Sequence, residues 1–289
     1  MSLYTIDQEI GELTAPVLVV AFSGWVSAGM AGTLTADHIV GSSGAIATFD
    51  GDSLFDYRAN RPTIDFVEGV VEDIVWPEMT LRRVSHGGRD LLVLSGTEPN
   101  WNWRRLGSEI GQLALQLGIV EHVSVGGVPW ATPHTRPTSV IMTASRPELV
   151  PADAERPQGL LRVPGAAVSI IESAVADVGI PTFGFWARVP HYVGAAYYPA
   201  VLALVERISS HLGVTIPLGS LADDAADQRE QLDAIIESRP DAKAIVEQLE
   251  QLATESDAVS GESLAAEIER FLQERSPGPD PFGGDADPA

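Results

Sequence analysis

Four segments of the sequence combine residue types that could bind a ligand or move a proton. Each segment follows an apolar stretch with the composition of a buried strand. Ligands of an open α/β sheet bind beyond the carboxyl ends of its strands, so parallel strands would bring the four segments to one edge. The sequence therefore predicts one ligand or partner site there, formed by Ser23, Gly24, Trp25, Glu98, Trp101, Trp103, His134, Arg136, His191 and Tyr192.

The polar residues of this set are suited to holding an anion or to acid–base chemistry. Arg136 could clamp a carboxylate or phosphate through two parallel N–H groups. His134 or His191 could transfer a proton near neutral pH. The prolines that flank this histidine and arginine equally suit a rigid turn, in which the side chains cap backbone groups or pair with Glu98. Both interpretations stay open, and the pattern singles out no catalytic residue.

Familiar catalytic and cofactor motifs do not account for the set. Ser23 lies in AFSGW, which lacks the glycine spacing of a GxSxG nucleophile. Gly24, Gly29 and Gly32 fit neither a dinucleotide-binding nor a Walker A pattern, and a tight strand-to-helix turn explains them. Free backbone N–H groups at this turn could still hold an anion. The sequence contains no HExxH motif, so we expect neither a metal site nor a cofactor.

Composition narrows the function classes further. The chain has 289 residues, with 40 acidic residues against 18 basic ones and a formal net charge of −22. A nucleic-acid binder needs clustered Lys and Arg to neutralise phosphates, so this class is excluded. The single lysine, Lys243, leaves almost no place for a Walker A or Schiff-base mechanism. The absence of cysteine excludes disulfides and thiolate chemistry.

The sequence shows neither a membrane-spanning stretch nor a signal peptide. No stretch of the chain has the length and apolar character of a membrane span. The opening, MSLYTIDQEI, lacks the basic start and the apolar core of a signal peptide. We therefore expect a cytoplasmic protein that does not contact membranes.

The hydrophobic pattern predicts an α/β fold. Residues 17–22 are apolar at every position, which is typical of a parallel strand buried on both sides. Stretches with helical spacing alternate with such strands, as Leu106, Ile110 and Leu113 illustrate. Residues 61–86 alternate between apolar and polar positions, which predicts antiparallel strands with one solvent-exposed face.

A change of composition near Pro217 predicts three parts of the chain. We expect an α/β/α sandwich domain over residues 1–218, an acidic helical extension over 219–275 and a disordered tail over 276–289. The last 70 residues carry 18 acidic and 5 basic side chains. Their apolar residues should pack on one another or on the sandwich. Three amphipathic helices fit the extension, at 220–238, 241–254 and 262–274.

Several motifs of the chain resemble the proteasome assembly chaperone 2 family, in its bacterial branch. They are LVVAFSGWVSAGMAG, DYRANRP, SGTEPNWNW, GGVPWATPHTRP, RVPG and RVPHYVGAAYYP. The resemblance covers most of residues 15–255 and is most specific in GWxxAG, PHTRP and VPHY. It implies a three-layer α/β/α sandwich that resembles the phosphorylase/hydrolase-like fold and is followed by C-terminal helices.

The resemblance also implies partners. Members of the family tend to form homo-oligomers, so we expect self-association, with a trimer or tetramer as the candidate forms. Relatives assemble or bind proteasomes, so the proteasome or another protein complex is a further expected partner. Docking relatives can end in a hydrophobic–tyrosine–any-residue tail, whereas this chain ends Asp287-Pro288-Ala289. Insertion of such a tail into a proteasome pocket is therefore not expected.

Two functions stay open at this point. The first is a non-enzymatic, homo-oligomeric protein-interaction or assembly-chaperone-like protein, which the family motifs and the tryptophans near strand ends favour. The alternative is a small-anion-binding protein, or a hydrolase or transferase, with a site at the carboxyl ends of the strands. The lack of a recognisable nucleophile–base pair favours the first function without deciding whether the chain is an enzyme.

Overall fold

The computed structural model describes residues 2–6 and 10–255, which form an α/β fold. The strands are β1 (Tyr4–Ile6), β2 (Val17–Ser23), β3 (Ala45–Phe49), β4 (Thr63–Val67), β5 (Val70–Val75), β6 (Met79–His86), β7 (Arg89–Thr97), β8 (Glu121–Trp130), β9 (Val140–Ala144) and β10 (Thr182–Pro190). The helices are α1 (Ala31–Val40), α2 (Gly51–Leu54), α3 (Trp103–Gln116), α4 (Ala167–Asp177), α5 (Tyr198–Leu212), α6 (Leu221–Glu237) and α7 (Pro240–Glu255). The expected helix at 262–274 and the expected tail at 276–289 lie outside the described residues.

Eight strands form one mixed sheet in the order β1-β3-β6-β7-β2-β8-β10-β9. The central strands β7, β2, β8 and β10 run parallel, while β6 and β9 flank them in antiparallel orientation. The carboxyl ends of the parallel strands therefore lie at the same edge. The strands that are apolar throughout occupy the middle of the sheet, where both faces are covered.

Helices cover both faces of the sheet, which makes it the middle layer of a three-layer sandwich. On one face, Val17 and Val19 of β2 pack in a core with α1 and α5. On the other face, Leu18 and Val20 pack in a core with α3 and α4. Alternate residues of one strand thus fill two different cores, which is why the strand is apolar at every position. The expected α/β fold with a central sheet between helices is confirmed.

The acidic helices α6 and α7 attach to the sandwich through their apolar sides. Leu221 and Ala225 of α6 and Val246 and Leu249 of α7 are buried, and Leu221 belongs to the core that contains α5. Most acidic side chains of α6 and α7 are exposed, whereas that of Glu250 is partly buried. Within residues 2–6 and 10–255, no helix combines the length and the apolar character that a bilayer crossing needs.

A hairpin of β4 and β5 forms a second, two-stranded sheet, which we call the arm (residues 63–76). Every residue of the arm is exposed. The expectation of one solvent-exposed face for this region therefore needs correcting for the arm, where both faces are exposed. The sequence of the arm does alternate between apolar and polar residues, but no described helix or strand packs on its apolar residues.

Candidate functional site

The four predicted segments lie together at the edge where the parallel strands end. β2 ends at Ser23, β7 at Thr97, β8 at Trp130 and β10 at Pro190. In-register pairs, such as Ser23 with Thr97 and Trp130 with Pro190, place neighbouring strand ends side by side. The fold thus gathers distant segments along one rim, and their side chains divide into two groups.

The first group is organised by the carboxylate of Glu98. One oxygen accepts a hydrogen bond from the Trp25 N–H at 3.1 Å, and the other accepts from the Ala167 N–H at 2.8 Å. Ala167 begins α4, so the carboxylate meets the positive end of that helix. The Glu98 N–H donates to the Ser23 carbonyl at 3.0 Å. Gly24 has φ +133°, and a Cβ there would lie 2.5 Å from Glu98 Oε2, so only glycine permits this approach.

The second group is a hydrogen-bonded series of Tyr192, His134 and Asp233. The Tyr192 hydroxyl accepts from the His134 backbone N–H at 2.8 Å and lies 2.7 Å from His134 Nδ1. A phenol has one proton to donate, so this geometry favours an unprotonated Nδ1 and a proton on Nε2, which lies 3.1 Å from Asp233 Oδ1. Burial raises the pKa of Tyr192 to about 12. His134 itself is 1% exposed, so the series fixes the loop after β8 to α6.

Arg136 and Thr135 continue this second group and bind α7 through Glu250. Arg136 Nε donates to Glu250 Oε2 at 3.0 Å, and a terminal N–H of Arg136 donates to Thr254 Oγ1 at 2.7 Å. The Thr135 hydroxyl donates to the other oxygen of Glu250. This bond from Thr135 lowers the pKa of Glu250, burial opposes the effect, and Arg136 adds to it. Arg136 thus pairs with Glu250 rather than Glu98, and an external anion would have to displace a carboxylate of the chain.

The remaining predicted residues lie around the two groups. Trp103 begins α3 and donates its indole N–H to the Pro99 carbonyl at 2.5 Å. Trp101, just before it, is exposed. His191 is also exposed, and its ring centroid lies 5.6 Å from that of Tyr192. These positions leave one indole and one imidazole accessible at the rim.

The two groups are bonded to different layers of the sandwich. Glu98 is bonded to α4, whereas His134 and Arg136 are bonded to α6 and α7, on the side of α5. A cavity of about 340 Å³ lies between His134 and the helices α6 and α7. His191 lines a different cavity of about 200 Å³, and Glu98 lines neither. The rim is shared, but the predicted acid–base and anion-binding side chains do not line one common pocket among these.

A family match covers both groups. The profile of the PAC2 family matches residues 21–236, which include all four strand-end segments and reach Asp233 of α6. The chain belongs to the PAC2 family. The match stops before α7, so Glu250, the carboxylate that Arg136 holds, lies beyond the matched residues. The resemblance drawn from the motifs is thereby confirmed.

Solved structures of similar proteins share this fold. A PAC2 family protein from Streptomyces avermitilis is 34% identical, with a TM-score of 0.72 over 81% of this chain and 99% of that chain. A proteasome-assembly chaperone homologue from Mycobacterium tuberculosis is 31% identical, with a TM-score of 0.73 over 80% of this chain and 99% of that chain. A protein of unknown function from Mycobacterium tuberculosis is 29% identical, with a TM-score of 0.86 over 93% of this chain and 96% of that chain. No curated protein sequence gives a significant match.

Two features of this PAC2 chain were missed when its site residues were predicted. One is the arm, whose exposure depends on what packs against it and not on its own pattern. The other is a cavity beneath α4, lined by Glu172, Thr182 and Trp186 among others. A signal for the cavity was present, since His122, Ser124 and Thr182 are polar residues inside otherwise apolar strands.

Proposed function

We propose that this chain is a cytoplasmic, homo-oligomeric protein-interaction protein of the assembly-chaperone type, and that the arm is its main contact surface. Membership of the PAC2 family and similarity to a proteasome-assembly chaperone homologue support this role. The observation that carries it is the apolar surface of the arm. Eight large apolar side chains of the arm are 40% to 69% exposed, namely Ile64, Phe66, Val67, Val70, Val71, Ile74, Val75 and Trp76.

The energetics of the arm favour a partner. A two-stranded hairpin is marginally stable in water when nothing packs on it. Complete burial of one Val, Ile or Phe side chain stabilises a complex by about 1.5–3 kcal/mol. Association costs about 4–15 kcal/mol in translational, rotational and ordering entropy. Burial of several of these eight side chains would therefore be enough to hold a partner.

A second copy of the chain is the first partner that we propose. The arm has two strands and therefore two free edges, each of which can pair with an edge strand of another molecule. Exchange of identical arms around a rotation axis gives a closed oligomer, and we propose a trimer or tetramer. The charges Asp65, Glu68, Glu72 and Asp73 oppose unlimited stacking of arms, since the arm contains no basic residue.

A proteasome or another protein complex is the second partner that we propose. An arm that carries both apolar and acidic side chains would suit an apolar groove whose border carries Lys and Arg.

The alternative function, a small-anion-binding protein or a hydrolase or transferase at the rim, has weaker support. Its candidate residues Arg136, His134 and Glu98 each bond to groups of the chain itself.

Light scattering after size exclusion tests self-association through the arm. The unchanged chain should elute at a multiple of 30.7 kDa, and the double variant Phe66→Ser/Val70→Ser should elute as a monomer. Leu115→Ser, which alters an exposed leucine of α3 outside the arm, is the matched control and should stay oligomeric. Circular dichroism checks that all variants are folded. A monomeric unchanged chain, or an oligomeric double variant, would contradict the proposal.

Salt dependence and crosslinking extend this test. Because copies of a chain with net charge −22 repel one another, raising the ionic strength from ~0.01 M to ~1 M should tighten self-association. A photoreactive residue at position 66 should crosslink to a second copy, and to proteasome particles purified from the same source. The same photoreactive residue at position 115 should crosslink to neither. Crosslinks that are equal at both positions would exclude the arm as the contact surface.

A further inference from the structure

A cavity of about 500 Å³ lies between α4 and strands β8, β10 and β9. This volume is within the range of about 300–1,000 Å³ that is typical of small-molecule sites. The loop before α4 contributes Leu161 and Val163, and the sheet contributes Val128 and Ile141. The cavity is separate from the arm and from the His134 group. It therefore offers a partly open, mainly apolar pocket that the proposed protein-interaction role does not use.

Trp186 forms part of the cavity wall because two glycines make room for its ring. A Cβ at Gly126 would lie 3.0 Å from Trp186 Cζ3, and a Cβ at Gly184 would lie 2.7 Å from Trp186 Nε1. The indole N–H donates to Thr143 Oγ1 at 2.9 Å, which fixes the ring against the sheet. Trp25 lines the same cavity. Two indoles thus border one space.

Buried polar groups without partners lie along the sheet at this cavity. Thr182 lines it and is fully buried, and its hydroxyl has no hydrogen-bond partner within residues 2–6 and 10–255. His122 is its in-register neighbour on β8, and the two therefore share a face of the sheet. Burial lowers the pKa of His122 to about 3, so the ring is neutral, and neither ring nitrogen is bonded within the same described ranges. A ligand that bonds to Thr182 would offset the cost of leaving this buried hydroxyl unpaired.

Glu172 of α4 supplies a carboxyl group to the cavity wall. Burial raises the pKa of Glu172, and the neighbouring Ser124 hydroxyl opposes this in part. That hydroxyl lies near the carboxyl without making an ordinary hydrogen bond to it. The cavity lining drawn from the described chain includes Glu172 and Asp177 but no Lys, Arg or His. An anionic ligand would be repelled, whereas a cation would stabilise the ionised form of Glu172.

We propose that this cavity binds a small organic amine with an apolar body, with its ammonium group at Glu172 and its body against Trp25 and Trp186. The two indoles offer aromatic surface against which the apolar body can pack. The Thr182 hydroxyl provides a further acceptor for an ammonium or hydroxyl donor. This site goes beyond the proposed protein-interaction role and does not depend on it.

Calorimetric titration of the full chain with three matched probes tests the charge preference. The probes are 3-phenylpropylamine, 3-phenylpropanol and 3-phenylpropionate, which share an apolar body and are cationic, neutral and anionic. The amine should bind saturably at one site per chain, and the alcohol should bind about tenfold more weakly. The carboxylate should not bind. Light scattering of the same samples reports the oligomeric state separately, so a failure here is distinguishable from a failure of the arm proposal.

Variants then locate the site. Glu172→Gln should reduce amine affinity about tenfold while leaving alcohol affinity within about twofold. Ala176→Phe, which fills the cavity from α4, should abolish binding of both probes, and Ile141→Trp is a second filling variant should the first not fold. Glu230→Gln, on the exposed side of α6, is the matched control and should bind like the unchanged chain.

Several results would overturn the proposal that the cavity binds an amine. Equal amine affinity in the unchanged chain and in folded Glu172→Gln would overturn it, because the carboxylate would then play no part. Undiminished binding in a folded cavity-filling variant would place the amine elsewhere on this acidic surface and would also overturn it. Absence of saturable amine binding, or tighter binding of the carboxylate, would have the same consequence.

Discussion

Glu250 of α7 accepts a hydrogen bond from Arg136 Nε at 3.0 Å, although the two residues are 114 positions apart in the sequence. Thr135 bonds to the same carboxylate, and His134 bonds to Asp233 of α6. The loop that offered the best candidates for binding an external anion therefore holds two acidic side chains of the chain's own C-terminal helices. Its observed contacts attach α6 and α7 to the sandwich.

Removal of the arginine should loosen α7 specifically. In Arg136→Ala, backbone amides of Val246 and Leu249 should exchange hydrogen up to about fivefold faster, since a partly exposed ion pair contributes about 0.2–1 kcal/mol. Amides of β2 should be unaffected. Arg146→Ala, which removes an exposed pair with Glu148 elsewhere, is the control. Equal exchange of the α7 amides in both variants would show that Arg136 does not hold the helix.

Asp90 should be a main electrostatic contributor to stability. It accepts hydrogen bonds from Arg83 Nε at 3.0 Å and from the Thr14 N–H at 2.7 Å, and Ser85 also donates to it. Asp90→Asn should lower the free energy of unfolding by about 2–4 kcal/mol at neutral pH, measured by chemical denaturation. Asp37→Asn, at an exposed position, should change it by less than about 0.5 kcal/mol.

The contribution of Asp90 should depend on pH. Burial alone would raise the pKa of Asp90, but hydrogen bonds from Arg83, Ser85 and Thr14 outweigh it and hold the pKa below 3.8. The stabilisation is then fully present above pH 3.8 and is lost as the pH falls through the lower pKa of the folded state. The stability difference between the unchanged chain and Asp90→Asn should shrink below that pH. A difference that stays constant down to about pH 2 would refute this explanation.

Glu98 should act through the backbone groups that it binds. Glu98→Ala removes the acceptor for the N–H groups of Trp25 and Ala167, so the free energy of unfolding should fall by about 2–4 kcal/mol. Glu98→Gln keeps one acceptor oxygen and should lose about half as much. Glu78→Ala, at an exposed position, is the control and should be nearly neutral. Equal losses for Glu98→Ala and Glu78→Ala would mean that the two bonds contribute nothing.

Gly126 should tolerate no side chain. A Cβ there would lie 2.6 Å from the Val26 carbonyl oxygen and would also press on Trp186. Gly126→Ala should therefore destabilise the chain by about 1–3 kcal/mol and shift the tryptophan fluorescence. Gly165→Ala, where a Cβ meets nothing within 4 Å, should be neutral or slightly stabilising. Similar stability of the two variants would contradict the close packing of strand and turn.

The sheet and its rim could be predicted from local pattern. Residues 17–22 are apolar throughout because both faces of β2 are covered, and this signal needs no knowledge of distant residues. The turn and loop residues that follow each buried strand mark where it ends. Parallel orientation then brings Ser23, Glu98, Trp130 and Pro190 to one edge. These inferences depend on the order of apolar and polar residues within each segment and not on distant residues.

Side-chain partners could not be predicted in the same way. Nothing in PHTRP indicates that Arg136 pairs with Glu250 rather than with Glu98, because the choice depends on where α7 packs. The alternation of residues 61–86 likewise does not reveal that no helix or strand within 2–6 and 10–255 covers the arm. Polar residues within β8 and β10 were visible, but their relation to Glu172 required the position of α4 over the sheet.

Composition and periodicity alone indicated the α/β architecture and the segments that end at the rim, and the lack of cysteine excluded thiol chemistry. The tertiary structure alone decided that Glu98 binds α4 while Arg136 binds α7, that no helix or strand of the described residues covers the arm, and that a cavity of about 500 Å³ lies at Trp186. The physical reason is the distance in sequence over which each feature is set. Burial patterns repeat within a few residues, whereas a hydrogen-bond partner or a cavity depends on how layers distant in sequence pack against each other.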